Sequence, residues 1–331
     1  MVVIVGLNDN VNRGFRMYKL LGLLFLVLLH LQPANANDLT MRIVGGNQVG
    51  QNAWPSVIAI KTARDGQILC GGNLIHPLWV LTAAHCIKGE AEGLYYEYGT
   101  PDLIVFSGAT GLDSPNGRHI RIQRIIVHPN YNMSNGTNDL ALLMLETPQE
   151  GATMPTYADN PLPGTAATVV GWGARTAKAT NGYPGNYPTQ MQQVTLPIVP
   201  NEVCNLPASY NGRIQSGMLC AGYPQGERDA CVGDSGGPLM IKQNGVYRQI
   251  GIVSQGEGCA IPGKYGIYTR VSSYANWIQQ YAPPPYAQAT VAQSDNPRVS
   301  YPGGAGSSNI GWINMLLMLS LLMARKKTSK N

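Results

Sequence analysis

From Ile43 onward the chain breaks every few residues: short runs rich in branched and aromatic side chains are each stopped by Gly, Pro or Asn before they reach helical length. Such runs fall at 56–60, 79–82, 120–127 and 140–145, and the pattern restarts at 167–170, 192–197, 238–241, 249–253 and 266–270. Short apolar segments bounded by turn residues predict strands. The expected fold class is therefore all-β, in two units of similar length spanning about 43–165 and 166–270. Residues 274–281 alone carry helical spacing, with Ala275, Trp277 and Ile278 inward, and Pro283-Pro284-Pro285 stops that helix. The 39 glycines and 23 prolines supply the turns, and 44% hydrophobic against 12% charged residues excludes a disordered chain. No internal sequence repeat marks the two units.

A net charge of +5 suggests a polyanion partner until it is located. Residues 1–42 hold four basic and two acidic residues and 325–331 hold four basic ones, whereas 43–281 balances 14 basic against 15 acidic. The basic excess sits at the ends and not on a domain face, so no nucleic-acid partner is expected. The six cysteines, at 70, 86, 204, 220, 231 and 259, contain no Cys-x-x-Cys pair. Zinc is disfavoured on that spacing. Disulfides, with their pairing left open by spacing alone, fit an oxidising compartment.

Arg13, Arg16 and Lys19 precede an apolar stretch at 20–31, followed by Ala34-Asn35-Ala36. This is the layout of a secretory signal peptide over 1–36, cut after Ala36, with Met17 as an alternative start. About twelve apolar residues are too few to cross a bilayer. At the other end, a Pro/Gly/Ser-rich linker over 282–309 contains Gly303-Gly304 and leads into a mostly apolar segment at 310–324 and Arg325-Lys326-Lys327. Fifteen helical residues reach about 22 Å, short of a hydrocarbon core of about 30 Å. Mismatch tolerance keeps a span open, with the basic end cytoplasmic. The tail at 310–331 resembles bacterial GlyGly-CTERM sorting signals, which implies a sorting protease and secretion machinery as partners. A lipid-anchor signal is the rival but ordinarily lacks the basic end, and a permanent anchor is the third reading.

Asp229-Ala-Cys-Val-Gly-Asp-Ser-Gly-Gly-Pro238 concentrates the chemistry. A serine hydroxyl is a weak nucleophile that needs a neighbouring base, and an attacked carbonyl needs N–H donors aimed at its developing charge. Ser235, flanked by glycines, suits both needs. Leu81-Thr-Ala-Ala-His85-Cys86 offers the base beside a cysteine that can lock its loop. Asn138-Asp139-Leu140-Ala141-Leu142 offers a carboxylate to hold the imidazole's tautomer. The order His, Asp, Ser matches one known arrangement of that triad.

With these motifs, Arg42-Ile-Val-Gly-Gly46, Gly171-Trp-Gly173, Ile252-Val-Ser254 and Gly266-Ile-Tyr-Thr269, the chain from 43 to about 280 resembles the trypsin-like serine proteases. The resemblance implies two antiparallel six-stranded Greek-key β-barrels with a C-terminal helix, within a protease domain of 43–281. It implies His85 as general base, Asp139 as its orienter, Ser235 as nucleophile and an oxyanion hole from the N–H groups of Gly233 and Ser235. Ser254 supports Asp139 and lies with Asp229, Gly256 and Gly266 around the substrate pocket. A carboxylate at Asp229 implies protein or peptide substrates with Arg or Lys at P1. Residues 37–42 become a propeptide cut after Arg42, by self-activation or by another protease, and the freed Ile43 amine pairs with Asp234. The implied disulfides are Cys70–Cys86, Cys204–Cys220 and Cys231–Cys259.

Departures from the family pattern are also legible. Gln255 stands where Trp is usual and Val232 where Gln is common, so preferences upstream of the cut are altered. Residues 107–118 hold one acid, Asp113, too few oxygen ligands for a calcium loop. No metal or other cofactor is expected, apart from a sodium site that Tyr265 permits; an ordinary surface-loop residue is the plainer reading there. Asn132 and Asn135 begin Asn-x-Ser/Thr sequons. A catalytically inactive protease-like binding module and a surface-tethered factor are the alternatives to a peptidase, and labelling of Ser235 by a fluorophosphonate separates the first of them.

Overall fold

The computed structural model describes residues 44–91, 93–152, 161–175, 179–180, 183–184 and 187–283. The expected signal peptide, Arg42, Ile43, most of the linker and the C-terminal tail lie outside them. Antiparallel strands dominate. In chain order the main strands are β1 (Val57–Thr62), β2 (Ile68–His76), β3 (Trp79–Thr82), β4 (Leu103–Ser107), β5 (Arg118–Val127) and β6 (Ala141–Leu145). Then follow β7 (Ala166–Gly171), β8 (Gln192–Val199), β9 (Met218–Ala221), β10 (Pro238–Gln243), β11 (Val246–Gln255) and β12 (Gly266–Arg270).

The first six close into a barrel in the order β1-β2-β3-β6-β5-β4. The second six close in the corresponding order, β7-β8-β9-β12-β11-β10, with the short strand Asn47–Gln48 added at β8. Period-two alternation explains the long strands. Ile120 and Ile122 of β5 point into the first barrel between exposed Arg121 and Gln123, and Val194, Leu196 and Ile198 of β8 point into the second.

Strands β2, β4 and β9 lie outside the runs expected from the sequence. In β2 the centre is Gly71-Gly72-Asn73, which reads as a turn. The glycines instead mark close approach. A Cβ on Gly72 would lie 2.8 Å from Ile58 and Val80 side-chain carbons, and one on Gly71 would lie 3.1 Å from the Gly237 Cα. Thus β2 is thinned where the loop before β10 crosses it. Nearby, Asn73 Nδ2 of β2 donates to Gln249 Oε1 of β11 at 2.9 Å, a fully buried amide pair joining the barrels.

Chain order returns at the end: a turn of 3-10 helix, Val271–Tyr274, leads into helix α1 (Ala275–Tyr281). Seven residues are too few for a stable isolated helix. This one docks on the first barrel, where Ile278, fully buried, joins the cluster of Leu74, Leu81 and Leu142, and the Trp79 and Tyr281 rings lie 6.4 Å apart. Burying a side chain such as Ile278 contributes roughly 1.5–3 kcal/mol. Three disulfides join Cys70–Cys86, Cys204–Cys220 and Cys231–Cys259. The first ties β2 to the turn carrying His85, and each contributes about 2–4 kcal/mol.

Candidate active site

Register brings the first two groups together. β3 and β6 are antiparallel neighbours with Thr82 opposite Ala141, so the residues just after β3 meet those just before β6. His85 sits on a 3-10 turn, Ala84–Cys86, and Asp139, 2% exposed, on the approach to β6. One Asp139 carboxylate oxygen accepts the His85 backbone N–H at 2.9 Å; the other lies 2.8 Å from His85 Nδ1 and accepts the Ser254 hydroxyl at 2.6 Å. The Thr269 hydroxyl, from β12, donates to the Asp139 carbonyl at 2.7 Å.

These contacts set the electrostatics. Burial alone disfavours the His85 imidazolium, but the charge and hydrogen bond of Asp139 outweigh it and hold the imidazole above its ordinary 6.5. Burial likewise disfavours the Asp139 carboxylate, and His85 with the Ser254 and backbone donors outweighs it, holding that group below its usual range. An ionised Asp139 fixing the Nδ1–H tautomer leaves Nε2 free to accept a proton.

Ser235 lies three residues before β10, on a loop packed against the His85 turn. Its carbonyl accepts the Gly71 N–H at 2.7 Å, and a Cβ on Gly236 would lie 3.0 Å from the Cys86 Sγ. Among the described residues no hydrogen bond joins the Ser235 hydroxyl to His85, a bond that commonly tightens only with substrate in place. The loop's amides are more telling. Gly233 has φ +96°, and a side chain there would lie 3.1 Å from Gly173 Cα and 3.3 Å from the Tyr187 ring. The Asp234, Gly236 and Gly237 N–H groups are all taken by Cys231, Val253 and Asp234 carbonyls, whereas those of Gly233 and Ser235 donate to nothing among the described residues. Two unspent donors beside a hydroxyl can hold an oxyanion.

A cavity of about 350 Å³ opens beside Ser235, walled by Val232, Val253, Ser254, Gln255, Gly256, Gly266 and the Cys231–Cys259 disulfide. Asp229, 5% exposed, lies at its closed end. Asp229 Oδ2 accepts the Ala260 N–H at 3.0 Å, while Oδ1 is buried and has no hydrogen-bond partner among the described residues. Burial raises this carboxyl to about 7 despite the backbone donors of Ala260 and Ala230. Gly266 keeps the end open: a Cβ there would sit 2.9 Å from both Asp229 Oδ1 and Tyr268 Oη.

Asp234 is fully buried, its carboxylate accepting Gly173 N–H at 2.8 Å and Cys231 N–H at 3.0 Å, and burial raises it to about 6. Gly171 and Gly173 flank it because any side chain at either would strike the carboxylate. Val44, buried, packs with Ala174, Cys231 and Cys259, and its carbonyl accepts the Asp229 N–H at 3.2 Å.

Other positions differ from expectation. Tyr265 is not a surface-loop residue; it is 7% exposed, and its carbonyl accepts the Tyr210 hydroxyl at 2.6 Å. Gln255 is exposed and covers Gly136, where a Cβ would meet its amide at 2.7 Å. Cys70, His85 and Cys86 form the one metal-like grouping among the described residues, and the disulfide between its cysteines removes two ligands. Among the described residues no helix is long and apolar enough to cross a membrane. Sequence reasoning missed Thr269 as a partner of Asp139 and Tyr96, whose hydroxyl donates to the His85 carbonyl at 2.5 Å. Thr269 stood in a quoted motif without a role, and nothing near Tyr96 signalled its contact.

The family model for trypsin matches residues 43–278, and with two six-stranded barrels and a His85–Asp139 pair whose carboxylate is buried, the chain belongs to the trypsin family of serine proteases.

Proposed function

We propose that this protein is a secreted serine endopeptidase, made as a zymogen and activated by cleavage after Arg42, that cuts protein chains after Arg or Lys. The observation that carries the specificity is Asp229, whose buried, unpartnered Oδ1 lies at the closed end of the cavity beside Ser235. A guanidinium or ammonium there supplies the missing donor, and truncated or neutral side chains leave the carboxylate buried and alone. Profiling the enzyme processed at Arg42 on a peptide library tests this: cuts confined to Arg and Lys at P1 are expected, and a preference for aromatic or small P1 residues rejects it.

The His85–Asp139 contact and the free Gly233 and Ser235 amides support the chemistry of a serine peptidase. Ser235 Oγ attacks the scissile carbonyl carbon as its proton passes to His85 Nε2. The Gly233 and Ser235 N–H groups receive the oxyanion. Collapse breaks the C–N bond, and His85 returns the proton to the departing amine, leaving an ester on Ser235. Water, deprotonated by His85, then attacks the ester, and the carboxylic acid departs as Ser235 regains its proton.

Activation rests on Asp234. A fully buried carboxylate raised to about 6 gains a partner if the Ile43 amine reaches it, and Val44 already lies in the adjacent cluster. The expected effect of Asp234→Asn is a folded protein with kcat reduced roughly 10²–10³-fold, the loss typical of a missing oxyanion donor. Wild-type rates in a variant processed at Arg42 reject this role.

Acid should act twice on cationic substrates. The rate constant kcat/KM reads the free enzyme. His85, raised above 6.5, must be neutral to accept a proton, and Asp229, at about 7, must be charged to attract the P1 cation. Activity on Arg and Lys substrates therefore falls with two protons on the acid side, the Asp229 step lying at about pH 7. A substrate with a neutral P1 group falls with one. Equal slopes for the two substrates on the acid side count against a charged Asp229 as the determinant.

Secretion and tail sorting complete the reading. The leader-like sequence at 1–36 and the Gly303-Gly304, apolar and basic succession support export followed by C-terminal processing. Mass spectrometry of the mature C-terminus distinguishes a clipped tail from a retained one.

A further inference from the structure

The His85–Asp139 pair belongs to the first barrel, yet the groups that fix Asp139 come from elsewhere: Ser254 on β11 and Thr269 on β12 both donate to it. A third tie runs through Asn138. This residue has φ +56°, in the left-handed region that Asn tolerates better than most residues. Its carbonyl accepts the Leu140 N–H at 2.9 Å, closing a tight turn centred on Asp139. Its side chain is held at both ends, with Nδ2 donating to the Asn130 carbonyl at 2.7 Å and Oδ1 accepting the Tyr274 hydroxyl at 3.2 Å.

Tyr274 is placed for this contact. Its ring meets His128 edge-on at 5.4 Å, between centroids, and packs against the first barrel's core. Room for its hydroxyl depends on Gly217, where a Cβ would lie 2.6 Å from the Tyr274 oxygen. The Asn130 carbonyl settles which way the Asn138 amide faces, because it can only accept and so takes Nδ2, which turns Oδ1 to the Tyr274 hydroxyl.

We propose that Tyr274 is a positioning residue for catalysis: its hydroxyl locks the Asn138 amide, and through it the left-handed turn that aims Asp139 at His85. This rests on the peptidase reading only in its kinetic consequences. The segment after β12 thereby acts on the dyad as well as packing on the barrel. A purely structural Tyr274 would act through its ring, which phenylalanine retains.

The test is Tyr274→Phe, with Gly217→Ala as a second variant that displaces the hydroxyl while leaving Tyr274 in place. Expected are a kcat lower by about three- to tenfold per titratable active site, as for a small misalignment of reacting groups, with KM unchanged. The acid limb of kcat/KM should move to lower pH, because a less well aimed Asp139 raises the His85 imidazole less. In proton NMR the low-field signal of the His85 Nδ1 proton should shift upfield or broaden. Wild-type kcat, acid limb and low-field signal in both variants overturn the proposal. So does activity lost only in proportion to titratable sites, with the limb and signal unmoved, because that is what lost packing produces. If the unmodified enzyme fails to label with a fluorophosphonate, the peptidase reading fails instead, and the low-field signal still decides the role of Tyr274.

Discussion

Ser235→Ala is expected to reduce kcat on an Arg-containing peptide by roughly 10⁶-fold while leaving the fold and KM nearly unchanged. The hydroxyl makes no hydrogen bond among the described residues, so its removal orphans no buried partner. What disappears is the oxygen that forms the ester. The residual rate reflects the two free N–H groups and substrate binding, which act as before. Fluorophosphonate labelling should vanish in parallel. A variant that keeps more than about one hundredth of the rate would place the nucleophile elsewhere.

Asp229→Ser is expected to lower kcat/KM for Arg and Lys substrates by about 10⁴-fold, the scale on which a site built for one polar group rejects a mismatch. Activity on substrates with a small or aromatic P1 residue should change little or rise, since the carboxylate they would bury alone is gone. The unpartnered Oδ1 explains the asymmetry: without a cation it costs the enzyme desolvation, and with one it makes a charge-assisted bond. The variant should also be more stable than the parent in the absence of substrate, as thermal unfolding can show. Retained Arg/Lys preference in Asp229→Ser would move the determinant to another group lining the cavity.

The readable parts of this fold were those where local pattern and tertiary role agree. Strands β3 and β12 match the sequence runs end to end, because branched and aromatic residues fill β3 and the centre of β12. Strand β2 was hidden by Gly71-Gly72-Asn73, residues present because two side chains of the barrel and the nucleophile loop press on that backbone. Such a reason lies in other segments and leaves no local trace. The two barrels share one order of pairing, yet the sequence shows no repeat, since a barrel requires alternation and closure but not particular side chains.

The site divides in the same way. His85, Asp139 and Ser235 each stand in a motif whose neighbours are themselves explained: Gly233 by its positive φ, Cys86 by its bridge to β2. Thr269 reaches the dyad across the fold from a motif that carried no role for it, and Tyr96 from a neighbouring segment with no chemical signature. Gln255 was noticed as unusual, but its resting place over Gly136 depends on how two loops meet.

The Asp139 network has a consequence for synthesis. Residues 85 and 139 emerge from the ribosome early, but Ser254, Thr269 and Tyr274 are among the last of the protease domain to be made. A nascent or prematurely terminated chain can hold the base and its orienter yet lack the groups that hold them still. The order of translation thus delays assembly of the hydrogen-bond network around Asp139 until the domain is almost complete.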